Sequence, residues 1–225
     1  MVNDYYEINN LNKDESWRLF RIIGEFVTGF DRLESIEPAV TIFGSARVKQ
    51  DDPVYLQAED IALKLGQNGF NIITGGGPGV MEAANKGAVK AGVSSVGISI
   101  TLPGEPHNEY ATKSLLFDHF FTRKVMLVKY ATAFVIMPGG LGTMDELTEL
   151  LTLMQTEKIR PFPVILFGSA FWEGLLKWLR DVVHPLGYIS EGDFDLLRIT
   201  DSTDEILRII NKWREYHECV GNRAL

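Results

Sequence analysis

The amino-acid sequence predicts an α/β fold, a Rossmann-like doubly wound parallel sheet in three α/β/α layers. Short apolar runs rich in Val, Ile and Phe alternate with helical patterns of ten or more residues along most of the 225 residues. Parallel strands need crossover helices that cover both faces of the sheet, so their strands are almost continuously apolar. Three of the runs end in glycine turns, at the edge where open sheets of this kind bind ligands.

Residues 1–37 are predicted to form an N-terminal extension with one amphipathic helix, and residues 38–225 a single Rossmann-like nucleotide-binding domain. Residues 1–12 are expected to be a loose polar end. From Asp14 onward, apolar residues recur every three or four positions, which is typical of a helix with a wide apolar stripe. The stripe consists of Trp17, Phe20, Ile23, Val27, Phe30 and Leu33. We expect it to dock on the protein's own fold, with a swapped arm on a second subunit as the alternative.

The first half of the domain is predicted to alternate strands and helices, because apolar β-type runs are separated by longer amphipathic patterns. Pro78 suits the first turn of its helix, where a missing N–H costs nothing. The predicted strands are 39–43, 70–74 and 93–100, and the predicted helices are 54–68 and 80–92.

The second half continues the alternation after a polar segment, residues 101–114, which is read as a long surface loop that could fold over a ligand. The same patterns predict four more strands and four more helices. The strands are 115–121, 133–137, 163–167 and 196–200, and the helices are 122–130, 143–156, 170–183 and 203–216.

Composition excludes several classes of function. A net charge of −8 and a pI near 5.1 argue against nucleic-acid binding, which needs clustered Lys and Arg. The single cysteine, Cys219, and four scattered histidines predict no metal site and suit a reducing compartment. We also expect no cofactor. The polar, acidic start of the chain and the lack of a long apolar run predict a cytoplasmic protein with no membrane contact.

Three glycine turns, at residues 44–47, 75–79 and 138–143, fall at predicted carboxyl ends of strands. Glycines there let a ligand approach the backbone beside a helix N-terminus, which favours phosphate. Val80 stands where the dinucleotide motif GxGxxG needs its third glycine, so NAD is disfavoured. The last turn lacks the P-loop lysine, which disfavours ATP hydrolysis.

Residues 134–149 are the predicted centre of the site, because a buried strand leads through glycines into a helix. Thr143 and Glu146 also fit a capping box, which would make them structural. Arg123 and Lys124 are predicted to open a helix, where a cation opposes the dipole unless it has an anionic partner. A solvated surface pair is the alternative for these two residues.

The sequence PGGLGTMDE at residues 138–146 matches the pattern PGGxGTxxE, and Arg123-Lys124 and Gly75–Gly77 with Met81 add to the match. By these motifs the chain resembles the LOG ("lonely guy") family over roughly residues 38–185. Its members are often labelled possible lysine decarboxylase. The resemblance implies a phosphoribohydrolase that releases the free base from a nucleoside 5′-monophosphate, such as AMP or a cytokinin riboside 5′-monophosphate.

The resemblance also implies roles for individual residues. Arg123 and Glu146 would be catalytic, with Glu146 stabilising positive charge on the ribose or orienting water. Arg123 stays protonated at neutral pH, so it suits positioning and charge stabilisation better than proton donation. The implied substrate-binding residues are Ser45, Gly76, Gly77, Met81, Lys124, Pro138, Gly139, Gly140, Gly142 and Thr143.

Two other classes of function stay open at this point. A pyridoxal-phosphate lysine decarboxylase would need a Schiff-base lysine, for which Lys124 or Lys129 could serve. A non-catalytic carrier of a nucleotide or of molybdenum cofactor could use the same phosphate turn. The family resemblance further implies a homodimer or a larger homo-oligomer.

Overall fold

The computed structural model describes residues 15–101 and 108–221. The helices within these ranges are α1 (Glu15–Leu33), α2 (Pro53–Gln67), α3 (Val80–Ala91), α4 (Phe120–Lys129), α5 (Leu141–Gln155), α6 (Ser169–Trp178) and α7 (Thr203–Gly221). The strands are β1 (Ala39–Phe43), β2 (Asn71–Thr74), β3 (Ser95–Ile100), β4 (Lys113–Phe117), β5 (Ala131–Ile136), β6 (Val164–Phe167) and β7 (Leu197–Thr200). A π-helical turn, Leu179–Val183, extends α6, and a 3-10 helix, Glu191–Leu196, precedes β7.

The seven strands form one parallel sheet in the order β4-β3-β2-β1-β5-β6-β7. The chain builds one half outward from β1 to β4, returns to the other side of β1, and then builds outward again through β5, β6 and β7. Val40 of β1 pairs with Ile72 on one side and with Ala133 on the other. The predicted doubly wound sheet is confirmed, and its order reverses between β1 and β5.

Helices cover both faces of the sheet, as the apolar strands require. Ala39 and Phe43 of β1 pack into one core, with residues of α4, α5 and α6. Val40 and Ile42 point to the opposite face and pack with residues of α2, α3 and α7. The alternation within one short strand therefore serves two separate cores, which confirms the three-layer arrangement.

Helix α1 forms where it is predicted, but most of its apolar stripe is not buried. Leu33 is buried, whereas Trp17, Phe20, Ile23, Val27 and Phe30 are each at least 40% exposed. The helix docks through a neighbouring face, with Phe26 packed on the core beside α4. The expectation that the whole stripe docks on the protein's own fold is therefore wrong for five of its six residues.

Two predicted boundaries are displaced in ways that matter for the site. Residues 118–121 were expected in a strand, but β4 ends at Phe117 and α4 already begins at Phe120. Aromatic residues have high strand propensity, so Phe120 and Phe121 mislead a local prediction. Likewise α5 begins at Leu141 rather than Thr143 because the glycine turn runs directly into its first turn.

Three smaller predictions can be compared with the structure. Pro78 lies before α3, whose N-cap is Gly79, so it does not occupy the first helical turn. The predictions for residues 1–12 and for residues 102–107 of the 101–114 loop fall outside the described residues, and the predicted loop ends two residues early because β4 begins at Lys113. Within residues 15–101 and 108–221, no helix is long and apolar enough to cross a membrane.

Candidate active site

A cleft of about 540 Å³ opens at the carboxyl edge of the sheet, where the strand order reverses. Such a volume lies within the range of small-molecule sites, roughly 300–1,000 Å³. Open α/β sheets bind their ligands at this edge because adjacent loops diverge there. The lining residues are Phe43, Gly44, Ser45, Ala46, Arg47, Gly75, Met81, Phe120, Arg123, Gly140, Leu141, Gly142, Thr143, Asp145 and Glu146.

Backbone hydrogen bonds tie together the turns that follow β1 and β5. Met137 N donates to Phe43 O at 2.8 Å, and Ser45 N donates to Pro138 O at 3.1 Å. Val80 N, at the start of α3, donates to Ser45 O at 3.0 Å. Ser45 Oγ accepts from Arg47 N at 3.1 Å. The turn after β1 is thereby held between the turn after β5 and the start of α3.

The N-terminus of α5 opens into this cleft. Its N-cap is Gly140, which offers no side-chain cap, so the N–H groups of the first turn have no partner within the helix. A Cβ added to Gly140 or Gly142 would meet no atom within 4 Å. The backbone is therefore open to an anion, which the helix dipole favours.

The capping box is not formed. Because Gly140 is the N-cap, Thr143 is the third residue of α5 and Glu146 lies in its second turn. The first turn of α5 contains no acidic residue, contrary to the sequence-based expectation. Thr143 is instead packed beneath the glycine turn, since a Cβ on Gly139 would lie 2.0 Å from its Oγ1.

Glu146 is a buried carboxyl group at the floor of the cleft. The residue is only 7% exposed, and its Oε2 has no hydrogen-bond partner among the described residues. Burial raises the pKa of Glu146 to about 7, against the opposing charges of Lys124 and Arg123. Such a group exchanges a proton readily near neutral pH, as an acid or base catalyst must.

Arg123 projects from the second turn of α4 towards the same cleft. The helix begins at Phe120, so Arg123 does not open it, and the predicted conflict with the helix dipole is smaller than expected. Its Nε donates to the carbonyl oxygen of Ile98 on β3 at 2.8 Å. A Cβ on Gly75 would lie 2.4 Å from Nη2 of Arg123, so the missing side chain makes room for the guanidinium.

Lys124 is not among the residues that line the cleft. Its Nζ lies 2.7 Å from Asp145 Oδ2 and 2.9 Å from Glu149 Oε2, both on α5. Only 15% of its side chain is exposed. The structure therefore places this predicted substrate-binding residue in a bridge between α4 and α5.

Gly76 and Gly77 also lie outside the cleft lining. Gly76 has a φ of +74°, and a Cβ on it would meet Ser99 Oγ at 2.3 Å. Asn108 fastens the turn, because its N donates to Gly76 O and its Nδ2 donates to Gly77 O, each at 3.0 Å. Gly76 allows close packing against β3, while Gly75 faces the cleft.

The structure thus brings together Arg123, Glu146, Ser45, Met81, Gly140, Gly142 and Thr143 of the predicted site. Pro138 and Gly139, like Lys124, Gly76 and Gly77, are not among the residues that line the cleft. Sequence reasoning missed Phe120 and Arg47 among the lining residues, although Arg47 ends a turn already singled out. It also missed Leu141, which is 90% exposed at the mouth.

No cluster of three or more His, Cys, Asp or Glu side chains suited to a metal ion occurs in residues 15–101 and 108–221. The charged groups at the cleft are two arginines, Arg47 and Arg123, and two acidic residues, Asp145 and Glu146. The arrangement therefore combines two cations, an open helix N-terminus and one buried carboxyl group.

Residues 81–210 match the model of a protein family described as possible lysine decarboxylase. The match runs from the first turn of α3 into α7 and includes nine of the fifteen residues that line the cleft, but not the turns after β1 and β2.

Two curated relatives give the range of similarity. The pyrimidine/purine nucleotide 5′-monophosphate nucleosidase of Escherichia coli (strain K12) is 29% identical over an alignment that covers 94% of this chain and 49% of that protein. This chain therefore spans about half of that relative's length. The cytokinin riboside 5′-monophosphate phosphoribohydrolase of Mycobacterium marinum is 26% identical over 66% of this chain and 80% of that protein.

A solved structure with the same fold is the molybdenum cofactor binding protein of the phototrophic bacterium Rippkaea orientalis. The two superpose with a TM-score of 0.56 and 23% identity, over 78% of this chain and 96% of the other. At this level of identity the likeness supports the fold alone.

Proposed function

Because the chain belongs to the possible lysine decarboxylase family, the LOG family of the sequence motifs, we propose that it is a nucleoside 5′-monophosphate phosphoribohydrolase. Its substrate would be AMP or a cytokinin riboside 5′-monophosphate, and its products the free base and ribose 5-phosphate. The observation that carries the proposal is a buried carboxyl group, Glu146, one turn behind an open helix N-terminus. The names of the two curated relatives support this class of reaction.

The 5′-phosphate would bind at the start of α5. The free N–H groups of the first turn and the positive end of the helix dipole favour a dianion there. Gly140 and Gly142 leave space for phosphate oxygens against the backbone. Arg47, at the rim of the cleft, adds a positive charge that strengthens the attraction.

Glu146 would act at the ribose of a substrate whose 5′-phosphate is bound at the start of α5. In hydrolysis the bond between C1′ and the base nitrogen breaks, water supplies a hydroxyl group to C1′, and the water's proton ends on the departing base. A pKa of about 7 lets Glu146 take that proton from water and pass it on. Its carboxylate form also stabilises positive charge on the ribose.

Arg123 would position the substrate and balance negative charge. Its guanidinium cannot give up a proton at neutral pH, so it is not the acid that protonates the base. The hydrogen bond to Ile98 O fixes the plane of the guanidinium in the cleft. This is the charge-stabilising role that the family motif implies.

One incubation tests the proposal. Purified protein is mixed with AMP and with isopentenyladenosine 5′-monophosphate, and free base and ribose 5-phosphate are measured. Adenosine is the control, since it lacks the phosphate that α5 would hold. We expect base release from a nucleoside monophosphate, little release from adenosine, and loss of release in Glu146→Ala. If the wild type releases no base from any nucleoside monophosphate, the proposal is wrong.

The alternative is a non-catalytic carrier of a nucleotide or of molybdenum cofactor, which would use the same phosphate site. A carrier would bind its ligand without releasing a base, and Glu146→Ala would leave that binding intact. Lysine decarboxylation has less support. Lys124 is held in two ion pairs and Lys129 is exposed near the rings of Phe30 and Tyr130, so neither lines the cleft.

We also propose a homodimer or larger homo-oligomer, supported by the exposed apolar residues of α1. The division of the chain into a 1–37 extension and a 38–225 domain stays a proposal too, as does a cytoplasmic location. The lone cysteine, Cys219, suits that location.

A further inference from the structure

We infer that Glu25, on the N-terminal helix α1, is a positioning residue for Arg123. The inference rests on the proposed function, because it assigns α1 a part in the reaction at the same cleft. Glu25 is separated from the cleft by the first turn of α4, and it would act through that turn rather than on the substrate.

The carboxylate of Glu25 binds the start of α4 at three points. Oε1 accepts hydrogen bonds from Asp118 N and from His119 Nδ1, each at 3.0 Å. Oε2 accepts a hydrogen bond from the hydroxyl group of Thr122. Glu25 lies more than 90 residues before these partners in the chain, so local sequence gives no sign of the contact.

The contact places a negative charge at the start of α4, which has no side-chain cap of its own. His119 is the N-cap of α4 and makes no side-chain capping bond, and the first turn of α4 contains no acidic residue. A carboxylate from another helix therefore supplies the negative charge that a helix N-terminus favours. Burial alone would raise the pKa of Glu25, but the bonds from Thr122, His119 and Asp118 lower it. The group is thus held in its charged form.

The link is largely withdrawn from solvent. The side chains of His119 and Glu25 are 15% and 13% exposed, and Thr122 is fully buried. Without the carboxylate, Asp118 N and His119 Nδ1 would lose their acceptor, while the hydroxyl group of Thr122 would keep His119 O at 2.7 Å. The start of α4 would then shift or fray.

A shift of that turn would reach Arg123 directly. Arg123 follows Thr122 in the chain, and its backbone N donates to His119 O at 3.2 Å. Its side chain has little room to adjust, because Nε is bonded to Ile98 O and the guanidinium packs on Gly75. Displacement of a catalytic group by about 1 Å can cost up to a hundredfold in rate.

The test measures AMP hydrolysis by Glu25→Gln, which keeps the shape of the side chain and removes its charge. We expect kcat to fall about tenfold or more, with KM changed by less than about threefold. Thr122→Val removes the hydroxyl group at the other end of the link and should lower kcat in the same way. Thr122→Ser keeps the hydroxyl group and should restore most of the rate.

The matched control is Tyr130→Phe. Tyr130 caps the far end of α4 and its hydroxyl group bonds to Phe30 O of α1 at 3.4 Å, so this variant weakens the α1–α4 contact away from Arg123. We expect its kcat to stay at the wild-type value. An equal fall in Tyr130→Phe and Glu25→Gln would overturn the inference, because any loosening of α1 would then suffice.

An Arg123→Ala background separates positioning from general damage. If Glu25 acts through Arg123, then adding Glu25→Gln should lower kcat no further in that background. A further tenfold fall there would overturn the inference. If Glu25→Gln does not fold, the comparison of Thr122→Val with Thr122→Ser decides the question by the same criterion.

Failure of the proposed function would be visible separately, as a wild type that releases no base. In that case the nitrogen-15 resonance of Arg123 Nε reports on the inference. It should shift in Glu25→Gln and not in Tyr130→Phe. An unchanged resonance would overturn the positioning role whatever the protein hydrolyses.

Discussion

Glu146 occupies a position that is unfavourable for the fold and useful for chemistry. An ionised carboxylate needs water or hydrogen-bond donors, yet this residue is 7% exposed and its Oε2 has no partner among the described residues. Burial raises the pKa of Glu146 to about 7, so the carboxyl group is partly protonated at neutral pH. A residue held so far from its ordinary state is typical of a functional site.

Glu146→Gln should trade activity for stability. In the unfolded chain this carboxyl group titrates near 4.5, and in the fold at about 7. Between those values the folded state binds a proton that the unfolded state has lost, so the free energy of unfolding falls as pH rises. Above about pH 7 the buried charge costs about 3 kcal/mol, which Glu146→Gln removes.

Thermal unfolding at about pH 5.5 and about pH 8 checks this expectation. The Tm advantage of Glu146→Gln over the wild type should be larger at the higher pH, while base release falls by about a hundredfold or more. Glu173→Gln, at an exposed position on α6, is the control and should change neither quantity. A Tm difference that does not grow with pH would contradict the burial of a charged Glu146.

Gly142→Ala should separate ligand binding from folding. Gly142 lies inside α5, and an added Cβ meets no atom within 4 Å. Alanine should therefore stabilise the helix by up to about 1 kcal/mol, while its methyl group fills space left for the phosphate. We expect an unchanged or higher Tm with kcat/KM lowered about tenfold for AMP.

The matched variant for Gly142→Ala is Gly174→Ala, at an exposed position in α6 where an added Cβ also meets no atom within 4 Å. It should raise Tm by a similar amount and leave kcat/KM unchanged. If Gly142→Ala were fully active, the phosphate would have to bind elsewhere.

At the scale of elements, the glycine turn and its helix were predictable, but where the helices start was not. Strand-glycine-helix alternation located α5 and the cleft, because parallel strands place their carboxyl ends at one edge. The start of α4 depends on Glu25 of α1, a contact far along the chain. For the same reason local sequence could not foretell that Lys124 bridges two helices instead of lining the cleft.

The bridge between α4 and α5 should tune Glu146. Lys124 binds Asp145 and Glu149, and its positive charge lowers the pKa of Glu146 against the effect of burial. Lys124→Met removes that charge, so the pKa of Glu146 should rise. If Glu146 works as a carboxylate, the rising limb of kcat/KM against pH should move to higher pH.

Lys129→Met is the matched variant for Lys124→Met, because Lys129 is on the same helix and stands beside the rings of Phe30 and Tyr130. Its pH profile should match that of the wild type. If the rising limb of the pH profile does not move in Lys124→Met, then that limb reflects the titration of a group other than Glu146.

At the scale of the whole molecule, the topology of the sheet accounts for the position of the cleft but not for the exposed apolar face of α1. The reversal of strand order between β1 and β5 puts the cleft near the middle of the sheet. Helix α1 adds Glu25 and Phe26 to the α4 side, and turns a row of large apolar side chains outward. The sequence pattern predicts the apolar stripe of α1, but periodicity alone does not indicate whether the same chain or a second copy covers it.

We expect a second copy of the chain to pack on the exposed apolar side chains of α1. The substitution Phe20→Lys should therefore lower the molecular mass of the protein in solution. Phe20 is 64% exposed in the middle of the row, and Trp17 and Ile23 flank it. A lysine there would have to lose its water in any contact between copies, which is costly without a paired anion.

The measurement is light scattering on the wild type and Phe20→Lys at micromolar concentration. Leu56→Lys is the control, since Leu56 is a similarly exposed apolar residue on α2, away from α1. We expect a dimer or larger particle for the wild type and for Leu56→Lys, and a smaller one for Phe20→Lys. A wild type with the mass of one 25.2 kDa chain would contradict the oligomer. An unchanged mass in Phe20→Lys would show that the copies meet through another surface, because a buried lysine at the centre of the row could not be tolerated without a large loss of affinity.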